Sequence, residues 1–141
     1  MFKKIKIFFF ISFFLYNPNR VNSEIVKIKL SNEAVVAFYN YISSDRGPLD
    51  KFLVTVDGQG VFIWACPQTL CFPAQTSFYT KPCSKLYNGK KCKIFAVNRK
   101  IRLDKSNKHV KFSENLLKFK KNYTLKEVKK NLKELGHINW S

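Results

Sequence analysis

The chain is poor in the residues on which small enzymes are usually built. Nine Asp and Glu stand against 26 Lys and Arg in 141 residues, and histidine occurs only twice, at His109 and His137, in basic stretches that predict exposure. No Cys-x-x-Cys pair and no nucleophile-elbow motif is present. Asp45, Asp50 and Asp57 cluster around predicted turns, where Asp favours turn geometry. The sequence therefore predicts no catalytic residue and no cofactor.

No apolar run is long enough for a transmembrane helix. Residues 7–16 are the main apolar run, about half of the roughly 20 residues that a helix needs to cross a bilayer. Lys3, Lys4 and Lys6 precede this run, and a polar stretch ending at Ser23 follows it. These are the three parts of a secretory signal peptide. We expect cleavage near Ser23 and a periplasmic or secreted mature protein.

All four cysteines follow the predicted cleavage point, at Cys66, Cys71, Cys83 and Cys92. An even number in a short exported chain indicates disulfides, for which three connectivities exist. The pairs Cys66 with Cys71 and Cys83 with Cys92 are favoured, because each closes a short loop at predicted element ends. The spacings do not match the close ligand pairs of structural zinc sites, so no metal site is predicted.

The local patterns predict a small α+β domain. Ser31 is a helix N-cap for a helix to residue 42, and residues 52–56 and 61–65 form a β-hairpin. A short helix with Thr80 as its cap and Pro82 in its first turn precedes a third strand at residues 92–97. Residues 100–103 are a further strand.

The predicted fold class is α+β. It consists of a small antiparallel sheet of about three to four strands with one or two short helices on one face, stapled by disulfides. A C-terminal amphipathic helix is added to it. The predicted divisions are a signal peptide at 1–23, the domain at 24–103, a basic linker at 104–122 and the helix at 123–138.

The stretch from the hairpin at residues 52–62, through the cysteines, to residues 88–101 resembles a group of small exported bacterial modules classed as domains of unknown function. The resemblance covers about residues 50–103 and implies a hairpin, a helix ending in Cys, and a Cys leading into a strand. Residues 124–138 are similar to short helical tails that end some bacterial proteins and serve in association. Neither resemblance implies a catalytic residue.

The C-terminal segment carries a complete helix signature. Thr124 and Glu127 form a capping box, and Gly136 is a stop signal. Four apolar residues lie at helical spacing and form one stripe: Leu125, Val128, Leu132 and Leu135. A helix this short is marginal alone, so the stripe needs a surface, which is its own core, a second copy or an envelope partner.

Positive charge is concentrated in the second half of the chain. Residues 24–80 contain four basic and five acidic groups, whereas residues 81–141 contain 18 basic and four acidic groups. This asymmetry indicates contact with an anionic membrane surface or an envelope polymer, and nucleic acid is disfavoured for an exported protein. The alternative is that the lysines are merely solvated. The candidate binding residues flank the apolar stripe: Lys118, Lys120, Lys121, Lys126, Lys129, Lys130 and Lys133.

The sequence thus predicts a small exported, non-catalytic module with a binding or accessory structural role in the cell envelope. Two alternatives come from other classes. One is an inhibitor of an envelope hydrolase that inserts the constrained loop containing Gln68, Thr69 and Leu70 into a cleft. The other is a small envelope enzyme of unknown reaction.

Overall fold

The structure is a computed structural model of the chain, and it describes residues 28–45, 47, 49–66, 76–102 and 114–140. The predicted signal peptide, Cys71 and the loop at residues 68–70 lie outside the described residues. The elements follow one another as α1 (Asn32–Ser43), β1 (Lys51–Thr55), β2 (Val61–Trp64), α2 (Thr76–Leu86), β3 (Cys92–Val97), β4 (Lys100–Ile101), α3 (Glu114–Leu117) and α4 (Leu125–Glu134).

The four strands form one sheet in the order β2-β1-β3-β4, and each neighbouring pair is antiparallel. Because β2 and β3 both run opposite to β1, α2 connects two parallel strands that have β1 between them. The predicted α+β class and small antiparallel sheet are confirmed. The hairpin, the third strand and the C-terminal helix lie where the sequence predicts them.

Alternate residues of β1 face two different helix layers, because successive side chains of a strand point to opposite faces. Phe52 and Val54 belong to a large cluster with the buried faces of α1 and α4. Leu53 belongs to a smaller cluster with Tyr79 and Cys83 of α2. The helices therefore cover both faces of the sheet, whereas the sequence predicted helices on one face.

An aromatic group fills the centre of the larger cluster. The ring of Phe38 in α1 lies 5.2 Å from that of Phe52, 5.4 Å from that of Phe95 and 5.1 Å from that of Phe119, all edge to face. This is the arrangement that aromatic quadrupoles favour. Phe95 is the extra residue of a β-bulge in β3, and this bulge lets the following Ala96 enter the same core as Phe95.

The helix α2 begins earlier than the sequence predicted. It starts at Thr76, so Thr80 lies inside the helix and is not its cap, and Pro82 lies in the interior. Proline there removes the hydrogen bond to the carbonyl of residue 78. Both Phe78 and Pro82 are exposed, so water can satisfy that carbonyl, while Tyr79 and Cys83 hold the opposite side of the helix in the core.

The described part of the predicted linker, residues 114–122, belongs to the domain. Leu117 and Phe119 are buried in the larger cluster, and the Phe119 N–H donates to the Arg99 carbonyl at 2.8 Å. Lys118 forms an isolated β-bridge with Lys100, which covers the outer edge of β4. A separating linker is therefore wrong for these residues, because burial of the two apolar side chains joins them to the sheet.

Candidate anion-binding surface

The helix α4 is fixed at both ends by local signals. The Thr124 hydroxyl accepts from the Glu127 N–H at 3.3 Å, and the Glu127 carboxylate accepts from the Thr124 N–H at 2.7 Å. This reciprocal pair is the predicted capping box. At the other end Gly136 has a φ of 78°, and the His137 N–H donates to the Leu132 carbonyl at 2.8 Å. The chain therefore leaves the helix at the predicted stop.

The apolar stripe of α4 packs on the protein's own core. Val128 and Leu132 are completely buried, Leu135 is 1% exposed, and Leu125 is partly buried against the same cluster. Of the three surfaces considered for this stripe, the structure therefore shows the first. The alternatives in which the stripe covers a second copy or an envelope partner do not hold for the folded chain, because these side chains already contact α1 and the sheet. For the same reason, α4 has no free apolar face to insert into a membrane.

A lysine face lies beside this buried stripe. Lys126, Lys129, Lys130 and Lys133 follow an i, i+3, i+4, i+7 pattern, and at 100° per residue they fall within one arc of about 100° around the helix. Both acidic residues of α4, Glu127 and Glu134, fall outside that arc. We call these four residues the α4 lysine face.

The α4 lysine face is solvent-accessible on a helix that packs on the core. Lys126, Lys130 and Lys133 are exposed, and in the part of the chain that the structure describes no carboxylate forms an ion pair with them. The ammonium of Lys129 lies 5.0 Å from the ring centre of Trp140, a cation–π contact that orients this side chain. Trp140 is itself anchored by the bond from its indole N–H to the Leu30 carbonyl at 3.4 Å.

The other three predicted lysines do not join this face as one surface. All three are exposed, but Lys121 pairs with Asp45, and Lys118 belongs to the strip that covers β4. The hydrogen bond and charge of Lys121 hold the pKa of Asp45 below its ordinary value. Lys120 lies near the capping box and contributes to the lowered pKa of Glu127, after the two hydrogen bonds from Thr124. The structure therefore concentrates the candidate binding charge on α4.

The cysteines are used as covalent links. Cys83 of α2 is bonded to Cys92 of β3, with a Cα–Cα distance of 6.1 Å. This pair is the predicted one and excludes both alternative connectivities. Cys66 is also disulfide-bonded, and its predicted partner Cys71 lies outside the described residues. The sulfurs of Cys83 and Cys92 are therefore not thiolate ligands for a metal.

The polar residues considered for catalysis have structural roles. His137 is buried, not exposed as the sequence predicted: its ring lies 4.8 Å from that of Phe95, and Nδ1 is 3.1 Å from the Ile28 carbonyl. Asp50 is buried, and its carboxylate accepts from the N–H groups of Gly47 and Cys66. His109 lies outside the described residues.

Asp57, another of the three turn carboxylates, also has a structural role. A hydrogen bond from Lys90, a second from the Thr55 hydroxyl and a third from the Gln59 N–H lower the pKa of Asp57. It lies in the β1–β2 turn, where these bonds fix the conformation, as turn chemistry predicts.

Sequence reasoning missed an aromatic group on the α2 side of the sheet. The ammonium of Lys51 lies 4.8 Å from the ring centre of Trp64 and 4.1 Å from that of Tyr79. The contact with Trp64 has a sequence signal, because the hairpin register places Lys51 opposite Trp64. The contact with Tyr79 has none, since it depends on how α2 docks.

No family model, curated protein or solved structure matches the chain. Over the described ranges, no helix is both long and apolar enough to span a bilayer. In the same ranges, no group of three or more His, Cys, Asp or Glu side chains is placed to hold a metal ion.

Proposed function

We propose that the protein is a small exported module that binds an anionic polymer of the cell envelope through the α4 lysine face, and that it acts by binding and not by catalysis. The observation that carries this proposal is the segregation of Lys126, Lys129, Lys130 and Lys133 on one exposed arc of a helix whose other side is locked into the core. A cluster of like charges attracts a polyanion, and the helix that carries this cluster is already folded before binding.

The chemistry of this face favours a polymer over a membrane. Among the described residues the large hydrophobic side chains that are exposed are Val36, Leu49, Val56, Phe78 and Leu86. None of them is on α4, so the lysine face offers charge without an apolar group that would enter a lipid layer. An acidic polysaccharide needs only the charge and its spacing.

Export is supported by two independent features. Residues 1–23 have the organisation of a signal peptide, and the Cys83–Cys92 disulfide belongs to an oxidising compartment. The mature protein is proposed to be periplasmic or secreted.

Intact mass spectrometry tests export and oxidation together. We expect the protein recovered from the cell envelope to have the mass of residues 24–141, less about 4 Da for two disulfides. Retention of residues 1–23 with free thiols would refute the export proposal.

Heparin affinity tests the binding surface, with heparin as the probe for an acidic polysaccharide. The variant Lys126→Gln/Lys130→Gln/Lys133→Gln removes three charges from α4. Its control, Lys91→Gln/Arg102→Gln/Lys118→Gln, removes three exposed charges elsewhere. Because the attraction is local and screened by salt, we expect the α4 variant to elute at clearly lower salt than the control. Equal elution of the two variants would show that net charge and not the α4 lysine face is responsible.

A further inference from the structure

A second exposed surface lies on α2, on the opposite side of the sheet from α4. Phe78 is 58% exposed and Leu86 is 61% exposed, and Pro82 between them is exposed as well. Their i, i+4, i+8 spacing places them in one arc of about 80°, over a length of about 12 Å along the helix. Lys81 and Lys85 are exposed along one side of this apolar stripe. We call these five residues the α2 face.

The α2 face is presented rigidly. On the buried side, Cys83 is bonded to Cys92 of β3 and Tyr79 is 4% exposed. The Tyr79 ring lies 4.9 Å from that of Trp64, and the Phe78 ring lies 6.4 Å from it. The Phe78 ring therefore packs on Trp64 and Tyr79, while more than half of its surface is exposed to water.

The charge on α2 is of one sign. The helix contains Lys81 and Lys85 and no acidic residue. A helix with exposed Phe and Leu on one arc and lysines beside them has the composition of a segment that lies in the plane of a membrane interface. The apolar side chains enter the boundary of the acyl chains, and the lysines contact anionic head groups.

The size of the patch favours a lipid surface over a protein partner. The area of three apolar side chains is far smaller than the about 800 Å² of surface that each partner contributes to a stable protein interface. A bilayer surface has no shape to match, so a small patch with adjacent cations is sufficient for reversible binding.

We infer that the α2 face docks the protein on an anionic phospholipid bilayer, with Phe78 and Leu86 inserted at the interface and Lys81 and Lys85 on the head groups. This inference is independent of the proposed role of α4, which concerns a different ligand on the other side of the sheet.

Vesicle co-sedimentation of the purified protein tests the inference, with phosphatidylcholine vesicles compared with vesicles that also contain phosphatidylglycerol. We expect binding to the anionic vesicles at low salt and little binding to the neutral ones. Lys81→Gln/Lys85→Gln should weaken binding about 30-fold, since each lysine near an anionic surface contributes about fivefold. Phe78→Ser/Leu86→Ser should weaken it about tenfold or more.

Two matched variants serve as controls. Val36→Ser/Leu49→Ser alters two exposed apolar residues elsewhere, and Arg102→Gln/Lys118→Gln removes two exposed charges outside both the α2 face and the α4 lysine face. Both should bind anionic vesicles like the unmodified protein. Circular dichroism should show an unchanged fold in every variant, because all the substituted side chains are exposed.

Three outcomes would overturn the inference. The first is no binding to anionic vesicles at low salt. The second is a loss caused by Lys126→Gln/Lys130→Gln that equals the loss caused by Lys81→Gln/Lys85→Gln, which would move the membrane contact to α4. The third is a dimer in analytical ultracentrifugation that Phe78→Ser/Leu86→Ser dissociates without changing vesicle binding, which would assign the α2 face to a second copy.

Discussion

At the scale of single residues, Arg99 joins the β3–β4 turn to the end of α1. Its Nε donates to the Ile42 carbonyl at 2.6 Å, and its Nη2 donates to the Ser44 carbonyl at 2.9 Å. The last turn of α1 has no basic residue of its own. Arg99 therefore supplies the positive charge that the carbonyl end of a helix favours. It does so with a φ of 60°, a conformation that is costly for a residue with a Cβ.

We expect Arg99→Ala to lower the free energy of unfolding by about 2 kcal/mol, because two hydrogen bonds to a charged donor are lost. Arg99→Gly should lose less, by about 1 kcal/mol, since glycine relieves the left-handed backbone. Arg102→Ala is the control, as its side chain is exposed and makes no such bond within the described chain. Denaturant unfolding measures all three. An Arg99→Ala variant as stable as Arg102→Ala would contradict this role.

Gly58 is the second residue whose role depends on a distant part of the chain. Its φ is 71°, and a Cβ at this position would lie 1.8 Å from the Lys29 carbonyl oxygen. The Gly58 carbonyl also accepts from the Ser31 N–H at 3.0 Å, at the start of α1. The β1–β2 turn thus docks on the segment that leads into α1.

Gly58→Ala should therefore be much more destabilising than Gly89→Ala. Gly89 has a similar φ of 83°, but a Cβ there would meet nothing within 4 Å. Gly89→Ala should lower the free energy of unfolding by about 1 kcal/mol, because it adds only backbone strain. Gly58→Ala should lower it by about 2 kcal/mol or more beyond that, because its Cβ also clashes with the Lys29 carbonyl. Thermal and denaturant unfolding of the two variants isolate the docking contact. Similar losses for both would show that the turn does not press against residue 29.

At the scale of elements, the capping box makes the stability of α4 depend on pH. Bonds from the Thr124 N–H and hydroxyl hold the pKa of Glu127 below its ordinary value of 4.5. A lowered pKa in the folded state means that the stabilisation is present above the ordinary pKa and is lost as the pH falls through the lower one. The pKa values of Asp45, Asp57 and Glu114 are also lowered, each by a lysine, and act in the same direction.

We expect the free energy of unfolding to fall as the pH is lowered from 7 to about 3. Glu127→Gln should fall less steeply, because glutamine preserves the capping box and does not titrate. Glu134→Gln, which alters an exposed carboxylate of the same helix outside the box, should follow the unmodified protein. Urea unfolding at several pH values gives the comparison. Equal slopes for the two variants would show that Glu127 does not contribute to the pH dependence of the free energy of unfolding.

The elements also show which parts of the fold a sequence can predict. Ser31, the 57–60 turn and the Thr124 box act within a few residues, and the structure has the elements that they predict. The prediction that α2 starts at Thr80 is wrong, because burial of Tyr79 and Cys83 outweighs the tendency of Pro82 to lie in the first turn of a helix. The contacts of Arg99 join positions 55 or more residues apart, and no local pattern indicates them.

The same limit applies to the candidate site. The lysine spacing on α4 was visible in the sequence, but its separation from Lys118 and Lys121 depends on Asp45 and on the strip beside β4. Exposure of Phe78 and Leu86 was not predictable, because an apolar residue on a helix normally indicates a buried face. Only the position of α2 on the sheet shows that this stripe points to solvent.

At the scale of the whole molecule, the two ends of the described chain are joined. The Leu30 N–H donates to the His137 carbonyl at 2.8 Å, and the Lys29 ammonium donates to the Gly136 carbonyl at 2.6 Å. Together with the Trp140 bond to Leu30, these contacts tie the segment before α1 to the segment after α4. The C-terminal region is therefore hydrogen-bonded to the start of the described domain, and we expect it to unfold together with the sheet.

Truncation after residue 122 tests this unity. It removes Val128, Leu132 and Leu135, whose side chains are buried in the larger cluster, and each such loss costs about 2–5 kcal/mol for a Leu. Because a domain is stable by only about 5–15 kcal/mol, we expect the truncated chain to show no cooperative unfolding transition. Leu132→Ala, a smaller change, should remain folded and lose about 2–5 kcal/mol. A truncated chain that folds normally but assembles differently would instead make α4 an association element, and the α4 lysine face would then lose its rigid support.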